Sequence, residues 1–314
     1  MKILGLCCGR KMGNSEILVK EALMGAEEVG ADVELVRLMD LDLKPCTGCS
    51  ACVNDVFEKG GSGECTIKDD LKFIEKKIME CDGLIVGSPI YEKSPTGYLK
   101  ILSDRMSTSF DMSFKMKAKK IREEKGITGG IDSKEVESKP RVASLFAVGG
   151  KNLSELALPM MQLFVMPMQM TVVDQYLFNL NSLPSGAVTL IKEPLERARM
   201  SGKHVAETLM KPIEEASYMG EVGICPICHA KLLEMTNSLS TAKCAVCGVN
   251  GHLKVDGDQV IFEVNEEFIE DLINNSTMQL NMSEIPANLE KYKSYLKYSK
   301  PIPNNIVHMN GYSF

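Results

Sequence analysis

Four cysteines stand at C-x2-C-x2-C-x12-C, in Cys46-Thr-Gly-Cys49-Ser-Ala-Cys52 and then Cys65. Three thiols within seven residues and a fourth shortly after supply the four thiolates that one [4Fe–4S] cluster needs. A cysteine-rich loop without metal is the alternative. A second group, Cys225-Pro-Ile-Cys228 and Cys244-Ala-Val-Cys247, has 15 residues between its pairs. That spacing predicts a closed four-thiolate site in which zinc is structural and no position is left for substrate. Mononuclear iron in a rubredoxin-like site is the rival. The short gap between the pairs favours zinc, as does His229 where a rubredoxin-like knuckle has glycine. Eight of the eleven cysteines thus fall into two ligand groups, and the first points to electron transfer.

The wider composition agrees. The chain has 314 residues, 44% hydrophobic and 25% charged, enough for a sizeable core. Eleven cysteines are an odd number in a long chain dominated by C-x2-C pairs. This predicts metal-bound thiolates in a reducing cytoplasm rather than a disulfide scaffold. A net charge of −6 disfavours a nucleic-acid partner. No stretch approaches 18 apolar residues, so no membrane span is expected.

Elements must position these groups. Apolar runs predict strands at Lys2–Leu6, Asp32–Leu38, Asp82–Gly87, Arg141–Val148 and Met170–Val173. Between them, residues repeating on one face predict helices at Ser15–Val29, Asp69–Glu80, Thr96–Met106 and Pro194–Met210. This β-α alternation predicts an α/β fold with a doubly wound parallel sheet covered on both faces. The polar, Lys-rich stretch Ser107–Pro140 interrupts the rhythm. It reads as a solvated helix plus loop, or as a lid or dimer arm.

Directly after the first strand comes Cys7-Cys8-Gly9-Arg10-Lys11-Met12-Gly13-Asn14-Ser15, and then a helix. Backbone N–H groups at a helix start, with Arg10 beside them, suit a phosphate. The pattern is not G-x-G-x-x-G, which disfavours a dinucleotide fingerprint. The third strand runs into Gly87-Ser88-Pro89-Ile90-Tyr91, which offers a hydroxyl and an aromatic face. Gly149-Gly150 follows the fourth strand at the same sheet edge. Ligands of open α/β sheets sit at that edge.

These motifs, with Cys65-Thr-Ile-Lys-Asp69-Asp70 and a helix ending Asp104-Arg105, resemble the NADPH-dependent FMN reductase group of flavodoxin-like proteins. The complete cysteine set is most similar to the iron–sulfur flavoproteins within it. Here Cys7-Cys8-Gly9-Arg10 stands where the group usually has Gly-Ser-Pro-Arg, so a thiol replaces a phosphate-binding hydroxyl. The resemblance implies a flavodoxin-like fold and bound FMN. The phosphate would lie at Cys8, Gly9, Arg10, Gly13, Asn14 and Ser15, and the ring at Ser88, Pro89, Ile90, Tyr91, Gly149 and Gly150. It also implies a homodimer or homotetramer. Residues 1–212 would form this domain with the cluster loop at 46–65. A linker at 213–222, a zinc-ribbon-like module at 223–264 and a helical tail at 265–314 would follow. The expected activity is electron transfer from ferredoxin or NAD(P)H, through FMN and the cluster, to a small-molecule or protein acceptor. An FMN reductase without a cluster and a redox-sensing or partner-docking protein are the alternatives.

Overall fold

Lys2–Cys7 is apolar at nearly every position, as a strand buried on both faces must be. In the computed structural model it is β1, flanked by β2 (Asp32–Arg37) and β3 (Gly83–Tyr91). With β5 (Val142–Gly149) and β6 (Thr171–Asn179) these strands form a sheet in the order β2-β1-β3-β5-β6, all four pairings parallel. This is the flavodoxin-like order. A two-residue strand, β4 (Ser94–Pro95), turns back antiparallel on β3. The structure describes residues 1–128, 140–150, 154–180, 183–221, 223–238, 240–257, 259–265 and 267. Residues 1–276 group into one compact unit, and the second, 277–314, lies outside the described residues. So do residues 129–139 of the Lys-rich stretch and nearly all of the expected helical tail.

Helices cover both faces. On one, α1 (Asn14–Glu27) and α7 (Lys192–Leu209) bury Ile17, Leu18 and Val205 against Ile85 and Phe146. The two helices meet backbone to backbone. A methyl group on Gly202 would collide with the carbonyl of Ala22, and one on Gly25 with the carbonyl of Arg199. On the other face, α3 (Leu71–Glu80), α4 (Gly97–Phe110) and α6 (Ala157–Val165) pack Ile74, Ile78, Leu102 and Phe164 on Leu84, Val86 and Leu145.

Three features exceed the sequence expectation. β3 runs on to Tyr91 instead of stopping at Gly87, because Gly87, Ser88 and Pro89 stay paired with Phe146, Ala147 and Val148. β6 extends to Asn179 through a buried Asp174, whose charge is matched by Arg197 at 2.6 and 2.9 Å. The cysteine segment contains a helix, α2 (Ala51–Lys59), burying Val56 and Phe57. Against it lies α5 (Met112–Lys125), within the stretch read as solvated. It buries Phe114, Ala118 and Ile121, and Arg122 donates to the Gly60 carbonyl at 3.0 Å.

Residues 213–221 follow the outer edge of β6, where the Met219 N–H donates to Val173 O at 2.9 Å. Beyond them β7 (Leu233–Met235), β8 (Thr241–Cys244), β9 (Asn250–Asp256) and β10 (Gln259–Glu263) form a small antiparallel sheet in the order β10-β9-β8-β7. No described helix is long and apolar enough to cross a membrane.

Candidate functional site

The loop between β1 and α1 ends at Gly13, the N-cap, which has no side chain to satisfy the first N–H groups of the helix. Those donors and the positive end of the helix dipole face outward beside the exposed Arg10. The loop is held from below by Glu16, wholly buried in the first turn. Its carboxylate accepts the Met12 N–H at 3.0 Å and the Arg37 Nε–H at 2.8 Å, and pairs with Lys20 at 2.6 Å. Burial alone would raise its pKa, but the bonds from Arg37, Lys20 and Met12 outweigh that and hold it at about 2. Met12 adopts the left-handed conformation, φ 54°.

This loop forms one wall of a cleft with about 610 Å³ of open space. Gly9, Arg10, Gly13, Asn14 and Ser15 line one end of it. Pro89, Ile90 and Tyr91 come from β3, and Val148 and Gly149 from β5. A Cβ on Gly149 would lie 3.0 Å from Ile90 Cβ, and one on Gly9 would lie 3.2 Å from Pro89 Cδ. Glycine at both positions therefore lets the loops close up while the floor stays bare. Tyr91 is 61% exposed at the mouth. An uncapped helix start beside a guanidinium, joined to a flat Gly-floored slot with an aromatic side wall, fits FMN: the phosphate at Gly9–Ser15 and the ring between Tyr91 and Gly149.

Three expected contacts fall elsewhere. Cys8 is wholly buried in the core under the sheet, so its sulfur does not face the cleft, and burial pushes its thiol well above the usual range. Ser88 is also wholly buried. Its Oγ accepts the Thr96 N–H at 3.1 Å and donates to Pro89 O at 3.0 Å, so it shapes the turn that carries Tyr91. Gly150 is half-buried beside Gly149 but does not line the cleft. Asn14 lines it, yet its side-chain amide is engaged. Nδ2 donates to the carbonyls of Leu183 and Pro184 at 3.4 and 3.2 Å, and Oδ1 accepts the Val188 N–H at 3.3 Å. Asn14 thereby holds the segment after β6, which brings Leu180, Leu183 and Ser185 to the cleft. Those three residues escaped sequence reasoning. The signal that could have found them is topological, since the carboxyl end of β6 shares the edge of β1, β3 and β5.

In the cysteine segment Cys46 and Cys49 are exposed, and Cys52 and Cys65 are half-buried. Three of the sulfurs accept a hydrogen bond: Cys46 from the Gly48 N–H at 3.4 Å, Cys52 from Thr108 Oγ1 at 3.4 Å and Cys65 from Arg105 Nε at 3.2 Å. Cys49 is held below the ordinary thiol range, chiefly by the Ala51 N–H. Gly48 and Ser50 take φ values of 68° and 56°, which coil the C-x2-C-x2-C run. Four thiols with donors aimed at their sulfurs are the donor set that a cubane cluster uses.

The second group is drawn much tighter. Among the described residues, Cys225, Cys228, Cys244 and Cys247 are the one group of possible ligands gathered closely enough for a single ion, all four sulfurs within 4.8 Å of one another. Cys225 and Cys247 are 3.7 Å apart, and Cys228 and Cys244 3.5 Å. A metal–sulfur bond of about 2.3 Å gives a tetrahedron with edges of about 3.8 Å, so the quartet is set for one ion. His229 has φ 57°, the conformation Gly248 (φ 78°) adopts in the other knuckle. It stacks on Tyr218 with centroids 3.7 Å apart. Two glutamines reach this knuckle from the sheet: Gln162 of α6 donates to Cys228 O, and Gln175 of β6 donates to His229 O at 3.2 Å.

A second buried carboxylate lies near the cysteine segment. Asp69 would be raised by burial, but hydrogen bonds from Arg105, Lys44 N and Leu71 N bring it to about 2. Both Glu16 and Asp69 titrate below their unfolded values. Their stabilisation is therefore present above about pH 4 and is lost as pH falls towards 2. Roughly 2 kcal/mol from each is at stake, since both side chains are excluded from solvent. The thermal midpoint is expected to be flat from pH 7 to 5 and to drop steeply between pH 4 and 2. A flat profile down to pH 2.5 in a thermal scan followed by circular dichroism would contradict the assignment.

The sequence model of the NADPH-dependent FMN reductase family matches residues 1–183. Over nearly the whole chain the protein is similar to a flavone synthase of Aspergillus candidus, 28% identical over 304 residues, which are 95% of this chain and 90% of that protein. The solved structure of a flavone reductase superposes with a TM-score of 0.76 at 26% identity, covering 96% of this chain and all of that one. An iron–sulfur flavoprotein of Methanocaldococcus jannaschii is 41% identical over 106 residues, 33% of this chain and 51% of that protein. The match thus spans about half the length of that relative. The chain belongs to the NADPH-dependent FMN reductase family and is an FMN-dependent oxidoreductase.

Proposed function

We propose that the protein reduces a flat, conjugated carbonyl compound of the flavone kind, with FMN in the cleft between Arg10 and Gly149 and a [4Fe–4S] cluster on Cys46, Cys49, Cys52 and Cys65. The observation that carries this reading is the cleft itself. Its phosphate end is an uncapped helix start, and its ring end is a glycine floor beside an exposed tyrosine. FMN, when bound there, accepts two electrons and releases them as a pair or singly. Cys46, Cys49, Cys52 and Cys65 would hold the cluster, whose iron would exchange single electrons with a carrier such as ferredoxin, while NAD(P)H is the two-electron donor. Arg10 and the first N–H groups of α1 hold the phosphate. Tyr91 covers the ring and offers its face to the acceptor, and Leu180 and Leu183 keep water from the inner side. The closed quartet of Cys225, Cys228, Cys244 and Cys247 holds zinc (mononuclear iron is the alternative) as a structural ion. The protein works in the cytoplasm as a homodimer or homotetramer.

The choice of acceptor rests on the whole-chain relatives, whose names refer to flavones and whose similarity extends through the second cysteine group. A second reading, an NAD(P)H-dependent reductase without a cluster, is favoured by the exposure of Cys46 and Cys49.

Purification without air is expected to give about one FMN, four iron and four sulfide per chain, together with one zinc. Anaerobic incubation with an electron donor and a flavone should give a product heavier by two hydrogens, added across the conjugated C=C bond. Yellow protein lacking iron and sulfide would select the second reading, and colourless protein would reject both. Arg10→Ala is expected to weaken FMN by about 1–3 kcal/mol, the scale of a charged phosphate contact. Unchanged affinity by fluorescence titration would place the phosphate elsewhere.

A further inference from the structure

Twelve residues separate Cys65 from the compact triplet, so a cluster that uses all four thiols needs something to hold Cys65 in place. Arg105 supplies one. It lies on α4 with its side chain wholly excluded from solvent, and its guanidinium donors converge on the two ends of the cysteine segment. Nε donates to Cys65 Sγ at 3.2 Å. Nη1 donates to Lys44 O at 2.6 Å, two residues before Cys46. Nη2 donates to Ile67 O at 3.4 Å, two residues after Cys65, and to Asp69 Oδ1 at 3.1 Å. Asp69 completes the ring by accepting the Lys44 N–H at 2.9 Å. Next to it, Asp42 and Asp70 close a second rung: the Asp42 N–H donates to Asp70 Oδ2 at 2.8 Å, and the Asp70 N–H to Asp42 O at 3.0 Å. Residues 42–70 thus form a loop cinched at its neck, and one guanidinium touches both flanks and a ligand sulfur.

We propose that Arg105 is the positioning residue that presents Cys65 as the fourth cluster ligand and sets the cluster's reduction potential. The inference rests on the cluster reading given above. Arginine suits the task where lysine does not. Its planar fork makes several fixed bonds at once and stays charged when buried. A charged N–H directed at a thiolate withdraws electron density from the sulfur, which favours the reduced cluster and raises the potential.

The test uses full-length protein purified without air, with FMN content as the check on folding. Arg105→Lys keeps a positive charge beside Asp69 but loses the Nε donor. It is expected to retain FMN and to show a midpoint potential more negative than wild type in an EPR-monitored redox titration. Arg105→Met combined with Asp69→Leu removes both buried charges together. It is expected to retain FMN while iron falls from about four to three or fewer per chain. FMN-loaded variants with wild-type iron content and wild-type potential would overturn the role of Arg105 and leave the cluster reading intact. Wild-type protein with FMN but without iron or sulfide would overturn both. Should the double variant lose FMN, the potential of Arg105→Lys decides.

Discussion

Gly202→Ala is expected to destabilise the protein by about 3–4 kcal/mol and to lower its thermal midpoint by about 6–16 °C. The direction runs against ordinary propensity. In a helix interior, alanine is normally better than glycine by about 0.5–1 kcal/mol. Here the added methyl points at the carbonyl of Ala22, and the obstacle is backbone that no rotamer change can move. Relief requires α7 to lift away from α1, opening the layer that buries Ile17, Leu18 and Val205. Since α1 also presents its N-terminal donors to the cleft, a displaced α1 should weaken FMN several-fold as well. Gly97→Ala is the control. It lies in α4, where an added methyl would meet nothing within 4 Å, and its effect should stay within about 0.5 kcal/mol. A Gly202→Ala protein as stable as the control in a thermal melt would show that the two helices do not cross at this distance.

Cys244→Ser should abolish the second ion site. The module around it has a small core, with Ala242, Val249 and Phe262 among its few buried side chains, too little to fold alone. Binding of a structural zinc is worth about 10–16 kcal/mol in comparable sites, so its loss should unfold residues 223–263 rather than loosen them. The consequences should then reach the outer edge of β6. Gln162 and Gln175 would lose the carbonyls of Cys228 and His229, and Tyr218 would lose its stacking partner. FMN should remain bound, because no described residue of the module lines the cleft. The unfolded module would expose its few apolar side chains, so size-exclusion chromatography should show larger species. Metal analysis should show the equimolar ion (zinc in the proposed reading) gone, and limited proteolysis should cut first within 223–263. Zinc retained at the wild-type ratio would refute the ligand assignment.

Much of this was legible in the sequence. The apolar runs of β1, β3 and β5 and the one-sided repeats of α1 and α3 carry their periods openly. The Cys225–Cys247 quartet was readable from spacing alone, because a closed tetrahedron constrains local knuckles. What escaped depends on partners far along the chain. Asp174 broke the apolar run of β6, and only Arg197 and the packing of α7 make a carboxylate tolerable there. The strand-to-helix loop that lines the cleft was evident from Gly9, Arg10 and Gly13. The inward turn of Cys8 and Ser88 was not, because which way a loop residue faces is settled by Thr96 and the core beneath it. Arg105 showed only as the end of a helix, since the sequence does not reveal where a guanidinium fork points.

The contact of α1 with α7 joins residues about 180 positions apart. A ribosome adding about 5–20 residues per second leaves the apolar flank of the first helix without its cover for roughly 10–40 s. During that interval the side of Ile17, Leu18 and Leu23 that the last long helix will cover stays open to neighbouring chains.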